Sequence, residues 1–531
     1  MIHCHSQKFT MSLARMTKKY CIFLYLKDFQ LNGGDRYFLL LDNFFREVKA
    51  KDLLDLDCYL VTHDYYTITD SIYKSVGKLP KSVIDITHFK RFLLQQKVTN
   101  ENKEQFKTKE IIKNEFDDIN DLRSYFEIYY RKEKYTSETY MLFSHKLSNA
   151  FEKMLVDAEE LDEIKRYFDI EVPTYNIIYN HLTRGIKIDC EILKEHKKEI
   201  NERYFKELKF FSETFGFMYE IPSENELSEY LSSRGYNLEN ESLDYILNFI
   251  PMPDDFGEIV RKLQRTNATR NTLLGIPHSK KSITPYVDLN GSITSRIYIK
   301  SPNLQNISKR YRNILIPSQG KELSYIDYDQ FEIGIMAHYS QDENLISMYS
   351  GHDIYSEFSS QAFGTPDKRK IAKMIFLSFI YGMTQDNLLK AVEENNGNKE
   401  QAKTFFSTFS RLEEWREEIA KIFHNNGKIP TQLGNYFKRE HTGPLTSSEK
   451  RSCVSQVIQG TGSLIFKKAI INISKNMNIK IILPMHDALL VQHPTDFDTD
   501  ELIKIFVDSM SEILGESKIT PKASLSNFYA S

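Results

Sequence analysis

The residues whose types and positions could do chemistry begin with two aspartates at the ends of apolar runs. Asp327 closes Leu323-Ser324-Tyr325-Ile326-Asp327, and helical spacing starts directly after it, around Gln330 to Ile333. A run of β-formers followed at once by helical periodicity predicts a strand end that presents a carboxylate. Asp487 lies far along the chain, in Ile481 to Val491, where His486-Asp487 separates two apolar runs. That pattern predicts a bend between two strands. Taken singly, either acid also fits a turn or a helix cap. As neighbours on adjacent strands they could hold two Mg²⁺ ions close together, the arrangement that phosphoryl transfer to a nucleotide needs.

A third stretch supplies cations. Thr365-Pro366-Asp367 combines a capping side chain, a proline suited to the first helical position and an acid for the first turn, so a helix is predicted from there to Tyr381-Gly382. Arg369, Lys373, Leu377 and Tyr381 recur every fourth residue, drift about 40° per step and share one broad face. An anionic chain laid along that face would meet charge first and an aromatic ring last. The same spacing also describes an amphipathic helix with solvated cations.

The elements that must position these residues follow from composition and periodicity. With 531 residues, 41% hydrophobic and 13% aromatic, the chain can build several globular domains and is not a disordered tract. A net charge of −3 shows no overall basic field, though a cationic cleft beside an acidic centre would cancel in that sum. The five cysteines, Cys4, Cys21, Cys58, Cys190 and Cys453, form no Cys-x-x-Cys pair, which argues against a zinc site or a disulfide scaffold. The apolar run Cys21 to Leu26 is too short for a signal peptide, and nothing later approaches membrane-spanning length, so a soluble cytoplasmic chain is expected. To about residue 151, strand-like runs (20–26, 37–41, 58–62) alternate with helical ones, predicting an α/β unit, with the charge-rich 100–120 stretch as a solvated loop or surface helix. Residues 169–267 are helical in period, longest at 191–212, and predict a rod. Short strands follow, one of them predicted over 292–299.

With these residues in view, the chain from about 171 to its end resembles DNA polymerase family A, the bacterial DNA polymerase I type. Asp327-Tyr328-Asp329-Gln330-Phe331-Glu332 is similar to the family's first catalytic motif, Asp-Tyr-Ser-Gln-Ile-Glu. Arg369 to Gly382 is similar to its nucleotide-binding helix, and Met485-His486-Asp487 to its last motif, Val-His-Asp-Glu. Ser295-Arg296, Pro302-Asn303-Leu304-Gln305-Asn306-Ile307 and Gln459-Gly460-Thr461 match further signatures, all in the family's order.

The resemblance implies an α/β (α+β) right-hand polymerase fold. Its expected parts are a degenerate RNase H-like 3′-5′ exonuclease domain (1–150), a thumb (151–267), a palm in two pieces (268–340 and 454–531) and fingers (341–453). It implies a template-directed DNA polymerase that adds dNTPs to a primer 3′-hydroxyl with two Mg²⁺ ions, Mn²⁺ being a substitute. Asp327, Asp487 and Lys373 would be catalytic, and Asp327, Tyr328 and Asp487 would be the metal ligands. Arg369, Lys373, Leu377, Tyr381, Glu332, Tyr355 and Gln330 would bind the dNTP, with Glu332 excluding a 2′-hydroxyl. Arg296, Asn303, Gln305, Arg451, Gln459 and His486 would touch primer and template. The expected partners are primer-template DNA and dNTPs, with accessory replication proteins and no membrane, for a monomeric enzyme.

The chain departs from the family pattern at named positions. Leu377 stands where the family has an aromatic residue, Ser378 where it has Gly, and Phe376 where Asn is common. Tyr355 replaces a His, Gly334 an Arg, and Ala488 the Glu after the second catalytic Asp. In the first unit, Phe23-Leu24-Tyr25-Leu26-Lys27 lacks the Asp-x-Glu pair of an active exonuclease, Ile68 sits at the intermediate Asp position, and Tyr135-Thr136-Ser137-Glu138-Thr139 stands where Tyr-x-x-x-Asp belongs. Polymerisation without proofreading is therefore expected. The competing readings are a non-catalytic DNA-binding descendant of the fold and a single-subunit RNA polymerase.

Overall fold

The computed structural model describes residues 19–27, 34–94, 99, 102–239, 241–351 and 353–530; Cys4 lies outside them. The first unit is built on a mixed five-stranded sheet whose order is β3-β2-β1-β4-β5. Its centre, β1 (Tyr20–Leu26), buries both faces, as a near-continuous apolar strand must. β2 (Arg36–Leu41) and β3 (Phe44–Val48) extend one side antiparallel, while β4 (Tyr59–Thr62) and β5 (Val83–Asp85) extend the other side parallel. The parallel step from β4 to β5 uses α1 (Tyr65–Val76), because parallel neighbours need a long crossover.

Alternation along β1 divides two cores. Ile22, Leu24 and Leu26 pack with Tyr140, Phe143 and Leu147, which belong to α4 (Ser137–Glu160), alongside α2 (Ile86–Phe92) and α3 (Ile119–Tyr129). Cys21, Phe23 and Tyr25 face the core that runs on into the rest of the chain. Although Cys21 and Cys58 are far apart in sequence, their thiols meet with sulfurs 3.1 Å apart. The stretch expected as a solvated loop or surface helix, 100–120, has a short helix at Thr108–Ile112 and also buries Phe106 and Ile112. Its two apolar side chains outweigh its local charge.

After α5 (Val172–Leu182) comes the helical rod. α6 (Cys190–Phe215) starts on the Asp189 carboxylate, which accepts from the Glu191 and Ile192 amides, and stops at Gly216, whose φ of +77° suits glycine. α7 (Phe256–Leu274) packs along it, and Arg270 Nε donates to Asn201 Oδ1 at 2.6 Å.

The predicted strand over 292–299 is shorter than expected. Only β7 (Tyr298–Lys300) pairs, with β6 (Tyr286–Asp288), and the residues between turn through a left-handed Ser295 (φ +58°). The Gly291 amide donates to the Arg296 carbonyl at 3.1 Å and closes that turn.

The second sheet holds the two aspartates. β8 (Lys321–Tyr328) is followed by α8 (Phe331–Ser340), as the sequence predicts. A helical cluster then intervenes, containing α9 (Arg369–Ile380) and the ribbon of β9 (Lys428–Thr431) and β10 (Gly434–Lys438). The chain returns through α10 (Ser447–Ile473), β11 (Lys480–Met485), β12 (Ala488–Pro494), α11 (Asp500–Leu514) and β13 (Ala523–Ser526). The sheet order is β11-β12-β8-β13, antiparallel throughout. α10 is buried on nearly every side, which is why its sequence shows little amphipathic contrast. No helix among the described residues is long and apolar enough to cross a membrane.

Candidate active site

Antiparallel pairing of β8 with β12 sets Asp327 opposite Ala488, directly beside Asp487 in the two-residue bend between β11 and β12. Burial, with the nearby Asp487 charge as the next cause, pushes the Asp327 pKa up to about 6, and Lys373 offsets part of this. Asp487 is raised as well, by burial first, while Arg296 opposes the shift. Two anions thus share a half-buried place that disfavours both charges. Among the described residues no group of three or more His, Cys, Asp or Glu gathers as a metal cage. Two carboxylates alone suit Mg²⁺, which keeps waters and takes its remaining ligands from substrate phosphates. The Tyr328 side chain is not available to a metal: its hydroxyl donates to the Phe506 carbonyl at 3.0 Å and its ring stacks on Phe331 at 4.3 Å. Only its main-chain carbonyl is left as a donor.

Arg296 ties the acids to the next helix. Its Nη2 donates to Glu332 Oε1 at 2.8 Å and lies 3.8 Å from Asp487 Oδ2. The Tyr381 hydroxyl faces Glu332 and Gln459 without a hydrogen bond of ordinary geometry. Burial first, then the Glu332 charge, raises its pKa far above the usual phenol range. Arg296 Nε, Asn303 Oδ1, Gln330 Oε1 and the Tyr381 hydroxyl are all buried without a partner. Orphaned polar atoms are uncommon in folded proteins, and of these the Arg296 and Tyr381 groups both lie in the field of Glu332, where a polar ligand would complete them. Beside them, a cavity of about 190 Å³ is bounded by Arg296, Tyr298, Phe437, Ser452, Gln456 and Gln459.

α9 keeps the predicted face. Arg369 and Lys373 are exposed, Leu377 and Tyr381 half-buried, and Ala372, Ile375, Phe376, Phe379 and Ile380 point inward. The helix is preceded by a 3₁₀ turn, Pro366–Lys368, capped by the Thr365 hydroxyl, which accepts from the Asp367 amide at 3.2 Å. The ring of Tyr355 lies under both cations, 5.3 Å from the Arg369 guanidinium and 5.2 Å from Lys373 Nζ. Arg369 is also ion-paired with Asp353, a partner that sequence reasoning missed. Asp353 caps the helix Ile354–Phe363, and its place before a helical run was the available signal.

Two departures from the family pattern have packing reasons. Phe376 joins an aromatic cluster with Phe358, Phe379, Phe405 and Phe409. At Gly334 a Cβ would meet the Tyr349 ring at 2.8 Å, leaving no room for the larger side chain.

The residues expected at primer and template divide. Arg451 and His486 are exposed, Gln459 is half-buried, and Arg451 packs beside Gly382. Gln305 corrects the expectation. Its Oε1 accepts from the Ile299 amide at 3.0 Å, and its Nε2 donates to the Ile297 and Pro484 carbonyls at 3.0 and 3.1 Å. Both ends of the buried amide are occupied by backbone, so it ties the strand-turn segment to β11. Asp329, not singled out from the sequence, accepts from Ser524 Oγ at 2.6 Å and adds to the field on Asp327.

In the first unit, Leu24, Leu26 and Ile68 are buried apolar residues. Asp85 caps α2, accepting from the Tyr65 and Thr87 amides at 2.7 and 2.8 Å, and Asp64 pairs with His63 at 3.0 Å. Both acids therefore have structural partners. A cavity of about 700 Å³ beside them is lined by Asp64, Arg91, Phe106, Phe126, Tyr130 and Tyr286.

The fold and the paired acids define a right-hand polymerase architecture. Over 98% of this chain and 96% of the other, it is similar, with a TM-score of 0.71 and 18% identity, to a solved structure described as the POL domain of Pol1 from M. smegmatis in complex with DNA primer-template and dNTP. Residues 190–524 match DNA polymerase family A, and the chain belongs to that family. It is 27% identical over 381 residues to DNA polymerase I of Caldicellulosiruptor bescii, covering 64% of this chain and 44% of that one. It is 29% identical over 363 residues to DNA polymerase I of Helicobacter pylori strain J99, covering 61% and 39%. The matches therefore span less than half the length of these relatives.

Proposed function

We propose that the chain is a template-directed DNA polymerase that extends a primer 3′-hydroxyl with dNTPs and does not proofread. The observation that carries this reading is the convergence of Asp327 and Asp487, remote in sequence, beside Arg296 and Glu332 and within the field of Lys373. The relatives named DNA polymerase I, and the solved relative bound to primer-template and dNTP, support the same reading.

The parts act as follows. Asp327 and Asp487 bind the divalent ions, together with the Tyr328 carbonyl. When bound, these ions supply positive charge that stabilises the attacking and departing oxygens of an in-line displacement. The primer 3′-oxygen loses its proton to solvent and forms a bond to the α-phosphorus, while the bond to the bridging oxygen breaks and pyrophosphate departs. Arg369 and Lys373 hold the β- and γ-phosphates, the first through its planar fork, the second as a point charge that also gives a proton to the pyrophosphate. Tyr381 stacks at the templating pair, which suits every base alike. Glu332, fixed by Arg296, crowds the sugar where a 2′-hydroxyl would stand. Arg451, Gln459, His486 and Asn303 face the duplex.

What supports the absence of proofreading is that Phe23 to Lys27, on and just after the first strand, carries no carboxylate and that Ile68 is a buried apolar residue. The test is extension of a labelled primer on a defined template with dNTPs and, separately, rNTPs. Templated extension that prefers dNTPs is expected. Faster use of rNTPs would favour an RNA polymerase, and no extension would favour a non-catalytic binding protein. The same assay without nucleotides should leave a single strand intact; 3′ shortening that survives Asp327→Ala would overturn the proofreading claim.

A further inference from the structure

Behind the candidate site lies a charge cluster that the proposed chemistry does not use. Lys467 of α10 and Glu171, just before α5, are fully buried, and Arg166 and Glu163 are 2% and 1% exposed. Lys467 Nζ donates to both Glu171 oxygens at 2.9 and 2.7 Å and to the Leu289 carbonyl at 3.1 Å. Arg166 donates through Nε to Glu163 at 2.8 Å and through Nη1 to Glu171 at 2.9 Å. Two cations thus meet two anions, and the group is neutral. Such clusters seldom add stability over apolar packing, so what they contribute is geometry.

The geometry converges on one backbone position. Arg166 Nη1 also reaches Ser295 Oγ at 3.3 Å, Ser295 Oγ donates to Asn435 Oδ1 at 3.2 Å, and Ser463 Oγ donates to the Ser295 carbonyl at 2.5 Å. Ser295 is left-handed at φ +58°, a conformation a non-glycine residue keeps only where its surroundings impose it. Glu163 completes the frame by accepting from the Tyr436 amide at 3.2 Å, and Gly434 leaves it room, since a Cβ there would lie 2.7 Å from Glu163 Oε2. The next residue is Arg296, which joins Glu332 to Asp487.

We propose that Arg166, held by Glu163, Glu171 and Lys467, is a positioning residue for Arg296. It fixes the strained Ser295 turn from behind and thereby aims the Arg296 guanidinium at Glu332 and Asp487. The inference rests on the polymerase reading of that site. Arg166 touches neither nucleotide nor metal in this scheme; it acts through one backbone position.

The test is a double-mutant cycle on the full chain with Arg166→Lys and Arg296→Ala, reading kcat/KM for dNTP and the dNTP-to-rNTP ratio. Hydrogen exchange over 291–298 gives a second measurement that needs no activity. Arg166→Lys keeps the charge and loses the fork. It should speed exchange in the turn and lower kcat/KM for dNTP about tenfold, the size of coupling seen within one hydrogen-bond network. In the Arg296→Ala background it should have no further effect on either kinetic quantity. Ser295→Ala, which leaves the charge cluster whole, should behave the same way and serves if Arg166→Lys does not fold. Multiplicative kinetic losses, or unchanged exchange in the turn, would overturn the proposal. Wild-type protein that extends no primer would instead refute the polymerase reading, and the exchange result would still decide whether Arg166 fixes the turn.

Discussion

Asp327 carries a cost in the folded chain that can be measured. Its pKa is raised on folding, from 3.8 to about 6, so the folded state holds the proton more tightly than the unfolded state does. This group therefore costs nothing below about pH 4; stability falls as pH rises from about 4 to 6, and the full cost is present above 6. In metal-free buffer at pH 7.5, Asp327→Asn should stabilise the protein by up to about 3 kcal/mol. Magnesium should raise the wild-type Tm and leave the variant's unchanged. A variant less stable than wild type in chelator at that pH would contradict the assignment. Gln305 sets the opposite case. With both amide ends given to backbone groups, Gln305→Leu should cost about 2–3 kcal/mol in denaturant unfolding by orphaning the Ile299 amide and two carbonyls. It should alter duplex affinity much less than Arg451→Ala. The two acids were legible because a strand end announces itself locally. The burial of Gln305 and the use of the Tyr328 hydroxyl were not, because their partners, the Pro484 and Phe506 carbonyls, lie well over a hundred residues away.

Among the elements, α9 was the most readable. Thr365 and Pro366 fix its start, Gly382 at φ +87° fixes its end, and four-residue spacing fixes its face. Missing from the sequence was the state of its first cation. Arg369 is docked on Asp353, so under the proposed function a phosphate bound there would displace that carboxylate. Asp353→Asn keeps an oxygen for the helix cap and removes the charge. It should lower the KM for dNTP about two- to fivefold in steady-state extension, the range of a partly exposed ion pair. A raised KM would mean that Asp353 helps to hold the nucleotide. The strand expected over 292–299 fails for a matching reason. Its residues look extended locally, but Arg166, Asn435 and Ser463 hold Ser295 in a turn. Tertiary contacts of that kind override propensity and leave no local trace.

At the scale of the whole molecule, the palm-like sheet is assembled from segments on either side of a long helical insertion, and local periodicity cannot reveal such pairing. Which strands join was foreseeable only through the ordered set of motifs. The register, Asp327 against Ala488, came from the structure. The first unit shows the reverse. Its sheet is continuous around β1, with Leu24, Leu26 and Ile68 buried as apolar residues, and the strand-like runs legible in the sequence are strands that pair in it. The central claim is that two converging acids make the site work. Single-turnover extension of a primed template in Mg²⁺ by wild-type protein and by Asp487→Ala tests it most directly. The account predicts templated extension by the wild type and a loss of about a thousandfold or more in the variant, with primer-template binding retained, as for a group needed in the transition state. Extension by Asp487→Ala at the wild-type rate would contradict it.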